Sequence, residues 1–131
     1  MRKYILLAFA AFAMVVFGSC KTKTDVYSTP EKVTSEFVTA FMTADFDNMY
    51  KYTVPRNARL IQNIQKMMRE RPERLATLQK NKIEIQDVAC EYDNDSLALC
   101  TCKFTCNGES QSAPYRVKKI EGKWLVDMTE N

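Results

Sequence analysis

Four cysteines in the C-terminal half are the side chains best suited to chemistry: Cys90, Cys100, Cys102 and Cys106. Thiols form disulfides, bind metal ions and act as nucleophiles. A zinc site is disfavoured because no Cys-x-x-Cys spacing occurs among them. Cys100 and Cys102 are two residues apart on one predicted strand and point the same way, so they are poor partners for each other.

Cys90 lies on the preceding predicted strand. If the hairpin loop between the two strands has about three to five residues, Cys90 falls near Cys100. In an exported protein, four cysteines allow disulfides, with three possible connectivities. The alternative is that all four cysteines are small apolar side chains at positions where valine would fit.

Groups for general acid–base catalysis are scarce. The chain has no histidine, which removes the usual general base and the commonest metal ligand. On the inward face of the last three predicted strands, the polar groups are Tyr115, Lys119 and the thiols, with no carboxylate. Asp45 and Asp47 stand where a helix starts and are interpreted as capping residues. The sequence therefore argues against an isomerase-like enzyme, and no cofactor or metal is expected.

Two tight turns organise the end of the chain. Asn107-Gly108 favours a type I′ turn, which needs positive φ at both central residues, and Glu121-Gly122 is a weaker version. Two-residue turns fix the register of the strands that they join. The stretch from about Leu97 to Met128 is therefore predicted to form three antiparallel strands.

One apolar face follows from this register, because opposed residues share a face. Its predicted members are Ala98, Cys100, Cys102, Phe104, Tyr115, Val117, Trp124, Val126 and Met128. An apolar face of this size must be covered, so the upstream elements are expected to pack on it.

The opposite face is predicted to be mainly polar. Arg116 is expected opposite Asp127, as an exposed ion pair. Leu97, Lys118 and Leu125 form a predicted row across this face, beside Leu99. Such a row can serve as a contact surface for weak homodimerisation or a partner, or it can be scattered surface leucines.

Amphipathic helices are predicted before the sheet. Thr29-Pro30-Glu31 is typical of a helix start, with a hydroxyl cap, a proline and an acid. Asp45 is predicted to cap a second, short helix that Pro55 ends. A third helix is expected over about residues 56–79, kinked or split at Pro72.

A further strand is predicted from Lys82 to Tyr92, with a bulge near Gln86-Asp87 where the apolar parity changes. The predicted fold class is α+β. Three N-terminal helices would pack on one face of a curved four-stranded antiparallel meander.

The N-terminus has the pattern of an export signal. Arg2 and Lys3 precede an apolar run that ends at Phe17, shorter than the roughly 20 residues that span a bilayer. The following Phe17-Gly18-Ser19-Cys20 resembles the bacterial lipobox, although Phe17 replaces the usual Leu or Val. The resemblance implies cleavage before Cys20 and a diacylglyceryl group on its thiol. An ordinary secretory signal with a chance cysteine is the alternative.

This resemblance divides the chain into a signal peptide at residues 1–19, a tether at 20–28 and a domain at 29–131. Lys21 follows the modified cysteine instead of the aspartate that retains lipoproteins in the inner membrane. The expected location is the cell envelope of a Gram-negative bacterium, on the outer membrane and facing the periplasm.

The segment Ala44-Asp45-Phe46-Asp47 between two helices, and the ending from Ile120 to Asp127, carry a second resemblance. Over about residues 29–128 the chain resembles the cone-shaped domains of the nuclear-transport-factor-like (SnoaL and ketosteroid-isomerase-like) superfamily, which includes small lipoproteins. That resemblance implies a cone between helices and sheet, which the superfamily uses as a ligand pocket, an active site or a plain core.

The charge gives no argument for nucleic acid. Removing Arg2 and Lys3 from the 19 basic residues leaves 17 against 16 acidic ones, or +1. The charge is segregated, however: residues 56–82 hold eight basic residues against Glu70 and Glu73. This segment could meet lipid head groups or an acidic partner, and a solvated helix face is the interpretation that the composition favours.

Three hypotheses about function follow. The first is a non-catalytic, lipid-anchored protein that binds a small apolar ligand. Its pocket would be lined by Phe37, Phe41, Tyr50, Cys102, Phe104, Tyr115 and Trp124. The second is an envelope interaction module whose cone is only a hydrophobic core. The third, least supported, is an isomerase-like enzyme.

Overall fold

The structure is a computed structural model that describes residues 25–129. These residues form four α-helices followed by a four-stranded antiparallel sheet, so the α+β class and the meander are confirmed. The helices are α1 (Pro30–Met42), α2 (Phe46–Tyr52), α3 (Ala58–Arg69) and α4 (Pro72–Gln79). The strands are β1 (Ile83–Asn94), β2 (Leu97–Cys106), β3 (Glu109–Ile120) and β4 (Lys123–Asp127). Short 3₁₀ helices occupy Asp25–Tyr27 and Pro55–Asn57.

Both predicted helix caps are present. The Thr29 hydroxyl accepts a hydrogen bond from the Lys32 N–H at 3.2 Å, and Pro30 opens α1. An Asp45 carboxylate oxygen accepts from the Asn48 N–H at 3.4 Å and opens α2. Each cap satisfies a backbone donor that the first helical turn leaves without a partner.

Pro72 splits the predicted third helix, so residues 25–129 form four α-helices where three were expected. α3 ends at Arg69 and α4 starts at Pro72. Between them, Arg71 has φ −133° and ψ 70°, which lies outside the helical region. The proline ring excludes the helical conformation for the preceding residue, and its nitrogen has no hydrogen to donate.

The two tight turns form as predicted. Asn107 and Gly108 have φ of 53° and 89°, and Glu121 and Gly122 have 52° and 83°. The register follows from them: Cys106 pairs with Glu109 on β3, and Ile120 pairs with Lys123 on β4. All nine residues predicted for the inward face belong to the core cluster or pack against it.

β1 pairs antiparallel with β2 and shows a register shift between Ile85 and Asp87, where the bulge was predicted. Cys90 lies directly opposite Cys100, and the two form a disulfide. The predicted proximity of Cys90 and Cys100 is therefore confirmed, although the loop has two residues and not three to five, with a second register shift between Tyr92 and Asn94. The interpretation of all four cysteines as plain apolar side chains is wrong. Cys102 and Cys106 are free thiols.

Of the four helices within residues 25–129, only α1 packs extensively on the sheet. It buries Val33, Phe37 and Val38 against the inward faces of all four strands. Burying side chains of this size stabilises the fold by about 1.5–3 kcal/mol each. The later helices instead form a second cluster with the end of α1, built on Phe46, Met49 and Ile61. The expectation that three helices cover the sheet is corrected accordingly.

The packed part of the chain begins before the predicted domain boundary at residue 29. Val26 and Tyr27 already pack against the main core cluster. The Tyr27 ring contacts Tyr52 with centroids 6.0 Å apart, and the Lys123 ammonium lies 5.0 Å from the Tyr27 ring. The start of the described chain is thus held beside β4 and the end of α2.

Candidate functional site

The space between α1 and the sheet is filled by side chains. Four of the predicted pocket residues are each at most 4% exposed and belong to the main core cluster: Phe37, Cys102, Phe104 and Trp124. Tyr115 packs against the same cluster and meets the Phe37 ring edge-on, with centroids 5.5 Å apart. Five of the seven predicted pocket residues are therefore brought together as packed core.

The other two predicted pocket residues lie elsewhere. Tyr50 packs in the second cluster, among the later helices. Phe41 is 38% exposed, one helical turn beyond Phe37, and the two rings stack with centroids 5.6 Å apart. The sequence reasoning grouped them because it placed every apolar helix face against the sheet.

A cleft of about 400 Å³ opens where β4 ends. Within the described residues, β4 pairs with β3 only from Arg116 to Ile120. The rest of β3, from Glu109 to Tyr115, has no partner strand on that side. The cleft is lined by residues of both sheet faces because it opens at this free edge. Its walls are Phe37, Phe41, Leu99, Pro114, Tyr115, Arg116, Asp127 and Met128. Three of the seven predicted pocket residues thus line this cleft: Phe41 is 38% exposed there, Tyr115 is partly buried and Phe37 is buried behind them at 1% exposure.

Tyr115 supplies the cleft with a hydroxyl. Burial raises the pKa of Tyr115, and the nearby Cys102 thiol raises it further. The phenol is therefore protonated at neutral pH and can donate a hydrogen bond to a ligand oxygen. The side chain is held in place by its edge-on contact with Phe37.

Asp127 is the acidic residue among those that line the cleft, and its role differs from the prediction. The register does place it opposite Arg116, but its side chain is fully buried and not part of an exposed pair. It forms ion pairs with Arg56 and, at 3.0 Å, with Lys118. The cause is the segment after α2, which crosses the open edge of β4: Val54 donates to the Val126 carbonyl at 2.9 Å.

Several hydrogen bonds hold the Asp127 carboxylate rigidly. Asn57 donates to it at 3.4 Å, and the Thr129 N–H donates at 3.1 Å. Burial by itself would raise the pKa of Asp127, but the bonds from Arg56, Lys118 and Thr129 outweigh burial and hold the pKa well below its usual range. A carboxylate kept ionised and saturated with donors is unsuited to act as a general base.

Further cavities lie among the helices. An open one of about 670 Å³ lies at the junction of α3 and α4 and is lined by Glu70, Arg71, Pro72, Glu73, Arg74 and Thr77. A narrow apolar one of about 170 Å³ is lined by Phe41, Met42, Ala44, Phe46, Met49, Ile64, Met68 and Leu78. An open one of about 430 Å³ holds Asp45 and Asp47. Both Asp45 oxygens are occupied by Asn48, through its N–H and, at 2.7 Å, its side-chain amide. This supports the interpretation of Asp45 as a cap.

The thiols and acids offer little further chemistry. Burial, with a contribution from Asp87, raises the pKa of the Cys102 thiol to about 11, so this thiol is protonated and a poor nucleophile at neutral pH. Among residues 25–129, no group of three Cys, Asp or Glu side chains is arranged to hold a metal ion.

The predicted lipidation site Cys20 lies outside the described residues. Within residues 25–129, no helix has the length and apolar character needed to cross a membrane.

Comparison with known proteins gives no assignment. No protein-family model matches this chain, and no curated protein matches it significantly.

Arg56 and Asn57 contact Asp127 of the cleft wall, and the sequence did not predict these contacts. They lie 71 and 70 positions before Asp127 in the chain and reach it only because Thr53 pairs with Val126 as an added parallel bridge. The local signal was Pro55. It was predicted to end α2, but α2 ends earlier, at Tyr52, and Pro55 opens the 3₁₀ helix that follows.

Proposed function

We propose that this protein is a lipid-anchored protein of the cell envelope, with a non-catalytic domain that binds a small apolar ligand in the cleft beside β3. The observation that carries the proposal is the cleft itself, where Phe37, Phe41 and Tyr115 combine apolar rings with one hydroxyl donor. Sites for small molecules usually have this composition, mainly apolar with few polar groups. The fold assignment proposed with it is the cone-shaped, nuclear-transport-factor-like domain, with its narrow interior filled.

A non-catalytic role is supported by the chemistry of the cleft walls. Tyr115 is protonated at neutral pH, and the carboxylate of Asp127 is taken up by Arg56, Lys118 and Asn57. Neither group is poised to accept a proton from a substrate. Binding and orientation are the functions that these groups can perform.

The anchor is tested by replacing Cys20 with alanine in the full chain. The motive is the Phe17-Gly18-Ser19-Cys20 sequence after a short apolar run. We expect the wild-type protein in the outer-membrane fraction and the variant outside it, because the diacylglyceryl group needs the cysteine thiol. Mass spectrometry of the wild-type N-terminal peptide should find the lipid on Cys20. An unchanged fractionation pattern would contradict the anchor.

The cleft is tested with two matched probes, n-octanol and octanoate. We expect n-octanol to perturb the NMR signals of Leu99 and Tyr115, and Phe41→Ser to weaken its binding about tenfold through lost apolar contact. Met67→Ser is the control, because Met67 is 61% exposed and does not line the cleft. Tighter binding of octanoate than of n-octanol would indicate that the charge of Arg116 orients the ligand. Tighter binding of n-octanol would indicate that the hydroxyl of Tyr115 orients it.

A second candidate function is an interaction module, and the outer face of the sheet favours it. Leu97 and Leu125 both lie opposite Lys118, as the register predicted, and Leu99 beside them is 45% exposed. This surface would support weak homodimerisation or contact with an envelope partner. Failure of both probes to perturb the cleft would favour this candidate over ligand binding.

A further inference from the structure

A strongly basic segment spans residues 56–82 and includes α3 and α4; we call it the basic arm. The segment contains eight basic residues and only two acidic ones, Glu70 and Glu73. All eight are exposed: Arg56, Arg59, Lys66, Arg69, Arg71, Arg74, Lys80 and Lys82. The arm therefore carries a net charge of +6 on its surface.

Almost none of this charge is neutralised within the described chain. Arg56 is bound to Asp127, and the other seven arm cations make no ion pair with any of residues 25–129. Neither Glu70 nor Glu73 pairs with a neighbouring arginine there. A concentrated positive surface of this kind attracts an extended anionic partner.

The cations of α3 lie on one side of the helix. Arg59, Lys66 and Arg69 follow one another at intervals of seven and three residues, which places them in one strip along the helix surface. The opposite side packs against the second core cluster through Ile61, Ile64 and Met68. The strip is therefore turned outwards by the packing of the apolar side.

The arm is fixed to the domain at both ends. At its start, Asn57 accepts a hydrogen bond from the Met128 N–H at 2.8 Å. At its end, the Asn81 amide donates to the Met42 carbonyl at 2.9 Å and accepts from the Asn107 amide at 2.9 Å. The basic strip thus has a defined orientation relative to the sheet.

The start of the domain lies beside the root of the arm. Tyr27 contacts Tyr52, which is four residues before Arg56. Cys20 precedes Tyr27 by seven residues, which span at most about 25 Å when fully extended. A lipid on Cys20 would therefore keep the root of the arm close to the bilayer surface.

We propose that the basic arm binds the anionic phospholipid headgroups of the membrane that holds Cys20. The inference rests on the proposed lipid anchor, and it adds that the domain is oriented on the membrane and does not hang freely from its tether. Clusters of Lys and Arg of this size bind anionic bilayers, within a Debye length of about 8–10 Å.

The test uses the full chain, with its N-terminal lipid, in nanodiscs of phosphatidylcholine alone or with phosphatidylglycerol. An amine-reactive label is quantified by mass spectrometry at Lys66, Lys80 and Lys82 of the arm, and at Lys103 of the sheet as the internal control. We expect labelling of the arm lysines to slow about fivefold in the anionic discs, with Lys103 unchanged. High salt should abolish the difference, because it screens the headgroup charge.

A matched pair of variants tests the charge directly. Arg69→Glu should remove most of the protection at Lys66, since the two residues lie in the same strip. Lys103→Glu changes the net charge equally and should leave the protection at Lys66 intact. Both side chains are exposed, so neither change should disturb the fold.

The possible outcomes separate the two proposals. Equal labelling of the arm lysines in neutral and anionic discs overturns the headgroup proposal. If the chain does not stay on neutral discs, the anchor fails. The arm proposal then stands if added anionic discs still protect Lys66, and falls if they do not.

Discussion

Replacing Phe37 with alanine should lower the free energy of unfolding by about 3–5 kcal/mol. Phe37 is 1% exposed and packs between α1 and the sheet, where its ring contacts Tyr115 on one side and Phe41 on the other. The small side chain would leave a void that the backbones of helix and sheet cannot close. Chemical denaturation followed by circular dichroism measures the loss.

Phe41→Ala provides the matched control, one turn along the same helix. Phe41 is 38% exposed, so its removal should cost only about 1–2 kcal/mol. Equal losses from both changes would mean that α1 does not sit on the sheet as described.

Replacing Asp127 with asparagine should lower the free energy of unfolding by about 2–3 kcal/mol at neutral pH. The change keeps the shape of the side chain but removes the charge that attracts Arg56 and Lys118. The expected loss of stability is smaller than for a fully buried ion pair because both cations are partly exposed. Glu91→Gln, on the exposed edge of β1, should change stability by less than about 0.5 kcal/mol.

The same carboxylate makes the stability of the wild-type protein depend on pH. The pKa of Asp127 is lower in the folded than in the unfolded state, so its contribution is fully present above the ordinary carboxyl pKa of about 3.9. As the pH falls below that value, the unfolded state takes up the proton first and the contribution is lost. Urea unfolding from about pH 5 to pH 2 should show a shallower decline in Asp127→Asn than in the wild type. Parallel declines would contradict this role for Asp127.

The sheet could be predicted from the sequence because its information is local. Each turn needs positive φ at two adjacent residues, and Asn107-Gly108 and Glu121-Gly122 supply it. Once the turns are placed, the period of two assigns every side chain to a face. The helix caps at Thr29 and Asp45 are local for the same reason.

The arrangement of the helices could not be predicted in this way. An apolar stripe shows that a helix is packed, but it does not identify the surface on which the helix packs. Tyr50 was therefore predicted to line the space between the helices and the sheet, although it packs among the later helices. The burial of Asp127 was missed because its partners come from a distant segment that crosses the edge of β4.

The Cys90–Cys100 disulfide has a consequence for how copies of the protein behave towards one another. β1 is an outer strand of the sheet, and outer strands can leave their own fold and pair with another molecule. The bond joins the middle of β1 to β2, so this strand cannot be exchanged once the bond has formed. Because disulfides form in oxidising compartments, a newly made chain in a reducing cytoplasm has no such protection. For an exported protein, oxidation is then the step that commits each molecule to remain a separate folded unit.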